Sequence, residues 1–491
     1  MNTRIDREPR HRIALPADSD DSDSELPGRA RRNFAVPGQT PGGQTQLLHA
    51  IAQVKKAAAL ANQDIGVLRP PVAQAICRAA EEIIDGTLGS GHFPVDVLAA
   101  TGGGSPNTNV NAVIAHRANQ LLWGSLGHEF VHPDTHVNAG QSTSDAMATA
   151  VNIALHRDIL RLRNAVGYMA DALRDKLAEH DGTMALSRTC PQDVVTVPAG
   201  EAFSAYLAAA RRGVDRLTTA AEACLDVPMG VDTALGGDSG YVEAICPRLL
   251  AVTGLPLRRH PDFFDAFQNG DVFQYVSAIF KALACGLIRI VRELGLAGGT
   301  QAGPGEMPEL VVQAGLQVCG NDTVVNMAVA GAELDFDAWT AVIAKNLTES
   351  ARLLTAVVPL FADKCLRGVQ IDTEPTLPAA ESSLGLSTVL GGVYGHDASA
   401  RAAHHAAEHG TSIRQAVVEL GIASQATADR LLDPVVLTDV ARSATLLDSM
   451  LADQQACAAQ FVRGLSPTIR HAIVHATSAV AAVDRELTSQ E

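Results

Sequence analysis

From Ser144 to His180 the chain places apolar residues three and four positions apart for about thirty residues, with no proline and no glycine pair. At about 1.5 Å per residue such a helix is roughly 45 Å long, more than a small domain can surround. It has to lie beside other long helices, and the sequence supplies them. Similar patterns run from Gly200 to about Leu225, Asp271 to Leu296, Pro308 to Ala330 and Ala338 to Leu366. Five long helices predict an all-α fold with an elongated central bundle. The composition agrees: 47% of residues are hydrophobic and only 4% aromatic, so the helices must pack closely through small side chains. A shorter helical pair is expected between Thr45 and Gly86, with Pro70 and Pro71 starting its second member. The 491 residues then divide into an N-terminal helical domain with a polar arm (1–141), the bundle (142–395) and a small C-terminal helical domain (396–491).

Charge and cysteine usage narrow the partners. The net charge is −16, with an acidic patch "DSDDSDSE" at Asp18–Glu25 in a polar arm that is expected to be extended. The main basic run is "RARR" at Arg29–Arg32, so neither nucleic acid nor an anionic membrane is an expected partner. The eight cysteines are scattered without CxxC pairs and read as reduced thiols of a cytoplasmic protein. The charged, proline-rich N-terminus does not read as a signal peptide, and no apolar run is expected to be long enough to span a membrane. The histidines are spread along the chain and no glycine-rich phosphate loop follows a strand. No metal, nucleotide or other cofactor is therefore expected.

Three polar loops interrupt the helical text. In "TGGGSPNTNVNAV" (Thr101–Val113), Ser105, Asn107 and Asn109 offer neutral hydrogen-bonding groups beside a helix start. The same stretch also reads as a turn that caps a helix. In "NAGQSTSDAM" (Asn138–Met147), Ser142, Thr143, Ser144 and Asp145 precede the longest helix, where they form either an anion site or an ordinary N-cap. In "LSRTCPQDVVTVPAGEAF" (Leu186–Phe203), a polar turn carries Arg188, Thr189, Cys190, Gln192 and Asp193. Cys190 is either a reactive thiol or a small buried residue. A fourth stretch, "GTQAGPGEMPEL" (Gly299–Leu310), contains no Ser, Lys or His.

Taken in order, these segments resemble the aspartase/fumarase superfamily, the class II fumarate lyases, and stand closest in motif to aspartate ammonia-lyase. "GSPNTNVNA" is similar to the family's GTSxNMNxNE, "HPDTHVNAGQSTSD" to HPNxHVNxSQSxND, and "SRTCPQDVVTVPAGEAF" to GRTxLQDAxPxTxGQEF. "CGNDTVVNMAVAGAEL", "KCLRGVQID" and "GTSIRQAVVELGI" extend the resemblance over essentially the whole chain.

The resemblance implies a three-domain fold that assembles as a homotetramer around a helical core. It also implies elimination of an amine or water from a succinate-like dicarboxylate to give fumarate, or the reverse addition. Ser105, Asn107, Asn109, Gln141, Ser142, Thr143, Ser144, Arg188 and Lys281 would bind the anionic substrate, and Thr189 and Cys190 would stand at the chemistry. Gly104, Ala112, Gly140, Ser144, Cys190 and Asp372 depart from the family's residues at their positions. The mobile loop GSSxMPGKxNP, which carries the family's serine base, has no counterpart, and no Ser lies between Ser277 and Ser350. A base would come from Cys190, from Glu306 (otherwise a solvated helix-entry residue), or from a histidine such as His132 or His136. Two readings follow: a diverged lyase with a non-standard base, or an inactive paralogue that binds dicarboxylates or acts as a scaffold.

Overall fold

The structure, a computed structural model, describes residues 43–93, 98, 106–124, 130–180, 184–188, 194–198, 200–230, 239–296, 306–331, 339–370, 386–437 and 440–464. The chain forms two compact units. One comprises 1–170, 208–296 and 304–365, and the other 171–207, 297–303 and 366–491.

In the first unit, α1 (Thr45–Asp64) is buried on nearly all sides and packs against α2 (Pro70–Ile84) and α3 (Pro106–Trp123). Its alanines at 50, 52, 57, 58, 59 and 61 are almost completely buried, which lets neighbouring backbones approach closely. Pro70 and Pro71 occupy the first turn of α2, where their missing N–H groups cost nothing. The longest helix, α4 (Thr143–Glu179), begins in this unit. α5 (Gly200–Ala223) ends in it and is followed by α6 (Ser239–Thr253) and the short α7 (Phe263–Gln268). Three long helices close the unit: α8 (Asp271–Leu296), α9 (Glu306–Ala330) and α10 (Thr340–Lys364), each packed on the other two.

Two observations correct the reading from sequence. The segment Asp271–Leu294 is long and apolar enough to cross a membrane by length and composition, contrary to expectation. Half of it is buried inside the fold, as a core helix flanked by α9 and α10 would be. The stretch read as a polar turn at 186–203 contains an antiparallel hairpin, β1 (Met184–Arg188) with β2 (Val194–Pro198), in register from Met184↔Pro198 to Arg188↔Val194. The β-branched run Val194–Val195–Thr196–Val197 favours extended backbone. A two-residue parallel ladder joins Asp226–Val227 to Arg258–Arg259.

The second unit has its own core. Leu386 and Leu390 at the start and middle of α11 (Ser387–Tyr394), Ala402 of α12 (His396–His409), Ile413 and Val417 of α13 (Ile413–Glu419), Leu431 of α14 (Gln425–Leu431) and Met450 of α16 (Val440–Gly464) come together, with Leu437 of the short α15 (Pro434–Leu437) packed against them. Ser412 and Gln415 close a reciprocal capping box at the start of α13.

Candidate functional site

The polar loop ahead of α4 is built by side chains that substitute for secondary structure. Asn119 of α3 accepts from the N–H groups of Phe130 and Val131 and donates to the Val131 carbonyl at 2.9 Å, as a neighbouring strand would. Pro133–Val137 then forms a single π-helical turn, closed by Val137 N–H to His132 O and Asn138 N–H to Pro133 O. Both histidines of this turn point their Nδ1 at backbone N–H groups: His132 at Asp134 (3.2 Å) and His136 at His132 (3.0 Å). A ring that accepts at Nδ1 carries its proton on Nε2 when neutral, so His136 offers a donor. Burial, together with His132 and Arg69, holds its pKa below the ordinary value.

Behind this turn lies a buried polar network. The Lys55 ammonium of α1 is fully buried and donates to Asn138 Oδ1 at 2.7 Å and Gln141 Oε1 at 2.8 Å. Asn107 and Asn111, one helical turn apart on α3, donate to the same Asn138 oxygen at 3.2 and 3.1 Å. Asn107 also reaches Thr143 Oγ1 at 3.3 Å. Asn138 donates to the Gln141 carbonyl, and Gln141 donates to the Val137 carbonyl, both at 3.0 Å. Every residue from Val137 to Thr143 that faces inward is thus tied down by an amide or the lysine. Such a network holds the loop through the bonds its members make to one another.

α4 starts with a reciprocal cap. Asp145 N–H donates to Ser142 Oγ at 3.0 Å, and Ser142 N–H donates to Asp145 Oδ1 at 2.9 Å. The Gly230 N–H donates to the second Asp145 oxygen. Asp145 is completely buried, and burial pushes its carboxyl up to about 7, opposed chiefly by Lys55. Burial likewise pulls Lys55 down to about 7, opposed by Asp145 and Asp134. The two groups compensate each other's charge, with desolvation the larger effect on each. Gly140 has φ +70°, and a Cβ there would stand 3.1 Å from the buried Tyr241 ring. Left-handed backbone and a ring face together require glycine. Among the buried polar atoms without a hydrogen-bond partner in the described residues are the side-chain oxygens of Asn107, Asn109 and Asn111 and the Tyr241 hydroxyl.

Of the residues singled out from sequence, the structure brings Asn107, Gln141, Ser142 and Thr143 into this network or its cap, with Ser144 and His136 beside them. Thr143 keeps an exposed side chain at the head of a 37-residue helix. Asn109 is buried on α3. Arg188 ends β1, paired with Val194 along the backbone. Glu306 is the first residue of α9. Lys281 lies on α8 and pairs with Asp322 of α9 at 2.8 Å; Ser277 donates to the other Asp322 oxygen. Ser105, Thr189, Cys190 and Asp372 lie outside the described residues.

Lys55, Asn138 and Tyr241 were missed as members of the site, and Asp145 stood out only among the residues that precede the longest helix. A signal for Lys55 exists: Ile51, Ala52, Ala58 and Ala59, its helical neighbours, are all apolar, whereas Lys56 pairs with Glu81 at the surface. The histidines are also less dispersed than the sequence reading held. His132/His136 and His405/His409 each stand four apart, and His405 Nε2 lies 2.7 Å from Glu419 Oε2. Among the described residues no group of three or more His, Cys, Asp or Glu is arranged to hold a metal ion.

Residues 28–315 match a family described as lyase, and residues 386–439 match one described as fumarase C C-terminus. An aspartate ammonia-lyase from a Bacillus species is 31% identical over 435 residues, covering 84% of this chain and 92% of the relative. A class II fumarate hydratase from Bradyrhizobium diazoefficiens is 31% identical over 468 residues, covering 87% and 98%. Among solved structures, a fumarate lyase:delta crystallin from Brucella melitensis superimposes with a TM-score of 0.79 at 29% identity, covering 87% of this chain and 97% of that one.

Proposed function

Because the chain belongs to the aspartase/fumarase superfamily, we propose that it is a lyase that breaks or forms a carbon–nitrogen or carbon–oxygen bond at a succinate- or fumarate-like dicarboxylate. The observation that carries this reading is the loop 137–143, held from behind by Lys55 and presenting the Thr143 hydroxyl at the head of α4. A long helix start joined to hydroxyl groups is suited to a carboxylate.

Removing a proton beside a carboxylate puts a second negative charge on that end of the substrate. Fixed donors that meet this charge lower the barrier. In this reading Ser105, Asn107, Asn109, Gln141, Ser142, Thr143, Ser144, Arg188, Thr189 and Lys281 are the binding and polarising groups, several of them brought together by association of subunits in a homotetramer. An exposed apolar stripe on α9, Leu316, Val324 and Met327, supports association of this kind.

We assign the base to Cys190. His132 and His136 are disfavoured because a backbone N–H occupies the Nδ1 of each. Glu306, the first residue of α9, is disfavoured because a carboxylate at a helix entry is ordinarily solvated. The Cys190 thiolate would take the proton, and the amine or hydroxyl on the adjacent carbon would then leave.

The test is calorimetric binding of succinate to the purified protein, then to a Thr143→Val variant. Saturable binding weakened by the substitution supports the reading, and no binding of any C4 dicarboxylate refutes it. Binding with no turnover would favour an inactive paralogue, the reading that the absence of Ser from 278 to 349 also supports.

A further inference from the structure

Cys285 of α8 and Cys319 of α9 face each other across the helix interface with their Sγ atoms 3.8 Å apart. Cys285 is exposed, and Cys319 is half-buried. The contact is one rung of an antiparallel ladder. Lys281 meets Asp322 on one side of it, and Ile288 meets Gly315 on the other. At that last rung Ile288 packs directly onto Gly315, where a Cβ would stand 2.8 Å from its side chain and 3.5 Å from the Ala284 carbonyl of α8, so the two helices pack closely there. Close backbones are what a bond between cysteines on adjacent helices requires, since the linked sulfurs must approach to about 2.05 Å while the helices stay in place. Side-chain rotation has to supply this closure, because the rungs on either side already hold the interface.

We propose that Cys285 and Cys319 form a reversible disulfide, an oxidative modification site that pins α8 to α9. The proposal is independent of the lyase reading. The oxidant is a low-molecular-weight disulfide. The exposed Cys285 loses its proton to solvent, and its thiolate attacks one sulfur of the oxidant; a mixed disulfide forms and one small thiolate leaves. Cys319 then gives up its proton, attacks Cys285 Sγ and expels the second small thiol. Two protein thiols are oxidised, and one small disulfide is reduced to two thiols. Burial and the neighbouring Cys285 raise the Cys319 thiol above its ordinary range, which suits the resolving role more than first attack. The other described thiols show no such facing partner: Cys77, Cys224 and Cys365 are buried, Cys246 is half-buried, and burial raises each of them.

The experiment incubates the full-length native protein with oxidised glutathione, alkylates the remaining thiols, and maps the digest by mass spectrometry. The expected result is a linked peptide containing Cys285 and Cys319 and the loss of two alkylatable thiols from the eight in the chain, reversed by dithiothreitol. In a Cys319→Ser variant, Cys285 should instead carry a single glutathione adduct. A wild-type chain whose Cys285 and Cys319 both remain alkylatable, or in which either is linked to a different cysteine, overturns the proposal.

Discussion

Lys55 and Asn138 are 83 positions apart in the chain, yet the lysine ammonium donates to the Asn138 side-chain oxygen over 2.7 Å. This contact ties the most buried helix of the first unit to the loop that precedes α4. Replacing Lys55 by Met should leave Asp145 buried without its compensating cation. Leaving a buried acceptor such as Gln141 Oε1 without its donor costs about 1–3 kcal/mol, so K55M should unfold at lower denaturant. The double variant K55M/D145N should recover about 1–3 kcal/mol relative to the sum of the single changes. Chemical denaturation of the four proteins measures this, and strict additivity would contradict the coupling.

The same lysine gives a pH dependence whose sign is fixed. Its folded pKa of about 7 lies below the ordinary 10.5, so between those values the unfolded chain binds a proton that the folded chain lacks. Stability contributed at this position therefore rises with pH from about 7 toward 10.5. Asp145 acts in the opposite sense at lower pH. Its folded value of about 7 exceeds the ordinary 3.8, so its contribution falls as pH rises from 3.8 to 7. The difference in unfolding free energy between wild type and K55M should increase from pH 7 to pH 10. A flat difference over that window would show that Lys55 titrates normally.

Gly140 and Tyr241 predict a contrasting pair of substitutions. A Gly140→Ser change restores the residue of the family motif but places a Cβ at φ +70° against the Tyr241 ring. The left-handed backbone alone costs about 1–2 kcal/mol, and the melting temperature should drop accordingly. Tyr241→Phe removes a buried hydroxyl that has no partner, so it should leave stability unchanged or raise it by about 1 kcal/mol. Destabilisation by Y241F would mean that the hydroxyl is satisfied in solution.

Ser142 and Thr143 are neighbours in sequence but should behave differently. Ser142 caps α4, so S142A should lower stability by about 1 kcal/mol. Thr143 is exposed, so T143V should leave the fold intact and weaken dicarboxylate binding about 10- to 100-fold, the loss of one hydrogen bond to a charged group. Calorimetry with succinate, together with thermal melts, separates the two effects.

The long helices were legible because length and a 3.6-residue period are local properties. Asp271–Leu296 was read with the bounds the structure gives it, and the helix read after Ser144 spans Thr143–Glu179. α16 was harder. Its 25 residues carry a broken apolar pattern, "ARSATLLDSMLADQQ", and the sequence suggested only short helices there. The β1–β2 hairpin escaped notice because each strand is five residues long and the first mixes polar and apolar side chains. In the candidate site, Asn107, Gln141, Ser142 and Thr143 stood out as polar residues in loops or at helix starts. Lys55 did not, because what distinguishes it from Lys56 is which helix face the rest of the fold covers. Asp145 looked like an ordinary capping carboxylate. Its contact with Gly230, 85 positions away, is a tertiary fact that local spacing does not contain.

The most direct test of the central claim is turnover. Wild-type protein and a Cys190→Ala variant are incubated with aspartate, malate, argininosuccinate-like adducts, and fumarate plus amines, and fumarate is followed by its ultraviolet absorbance. The wild type should form or consume fumarate with at least one of these substrates. C190A should lose that activity while still binding succinate. Silence of the wild type on every substrate, with succinate binding intact, would contradict the lyase reading. Full activity in C190A would contradict the assignment of the base.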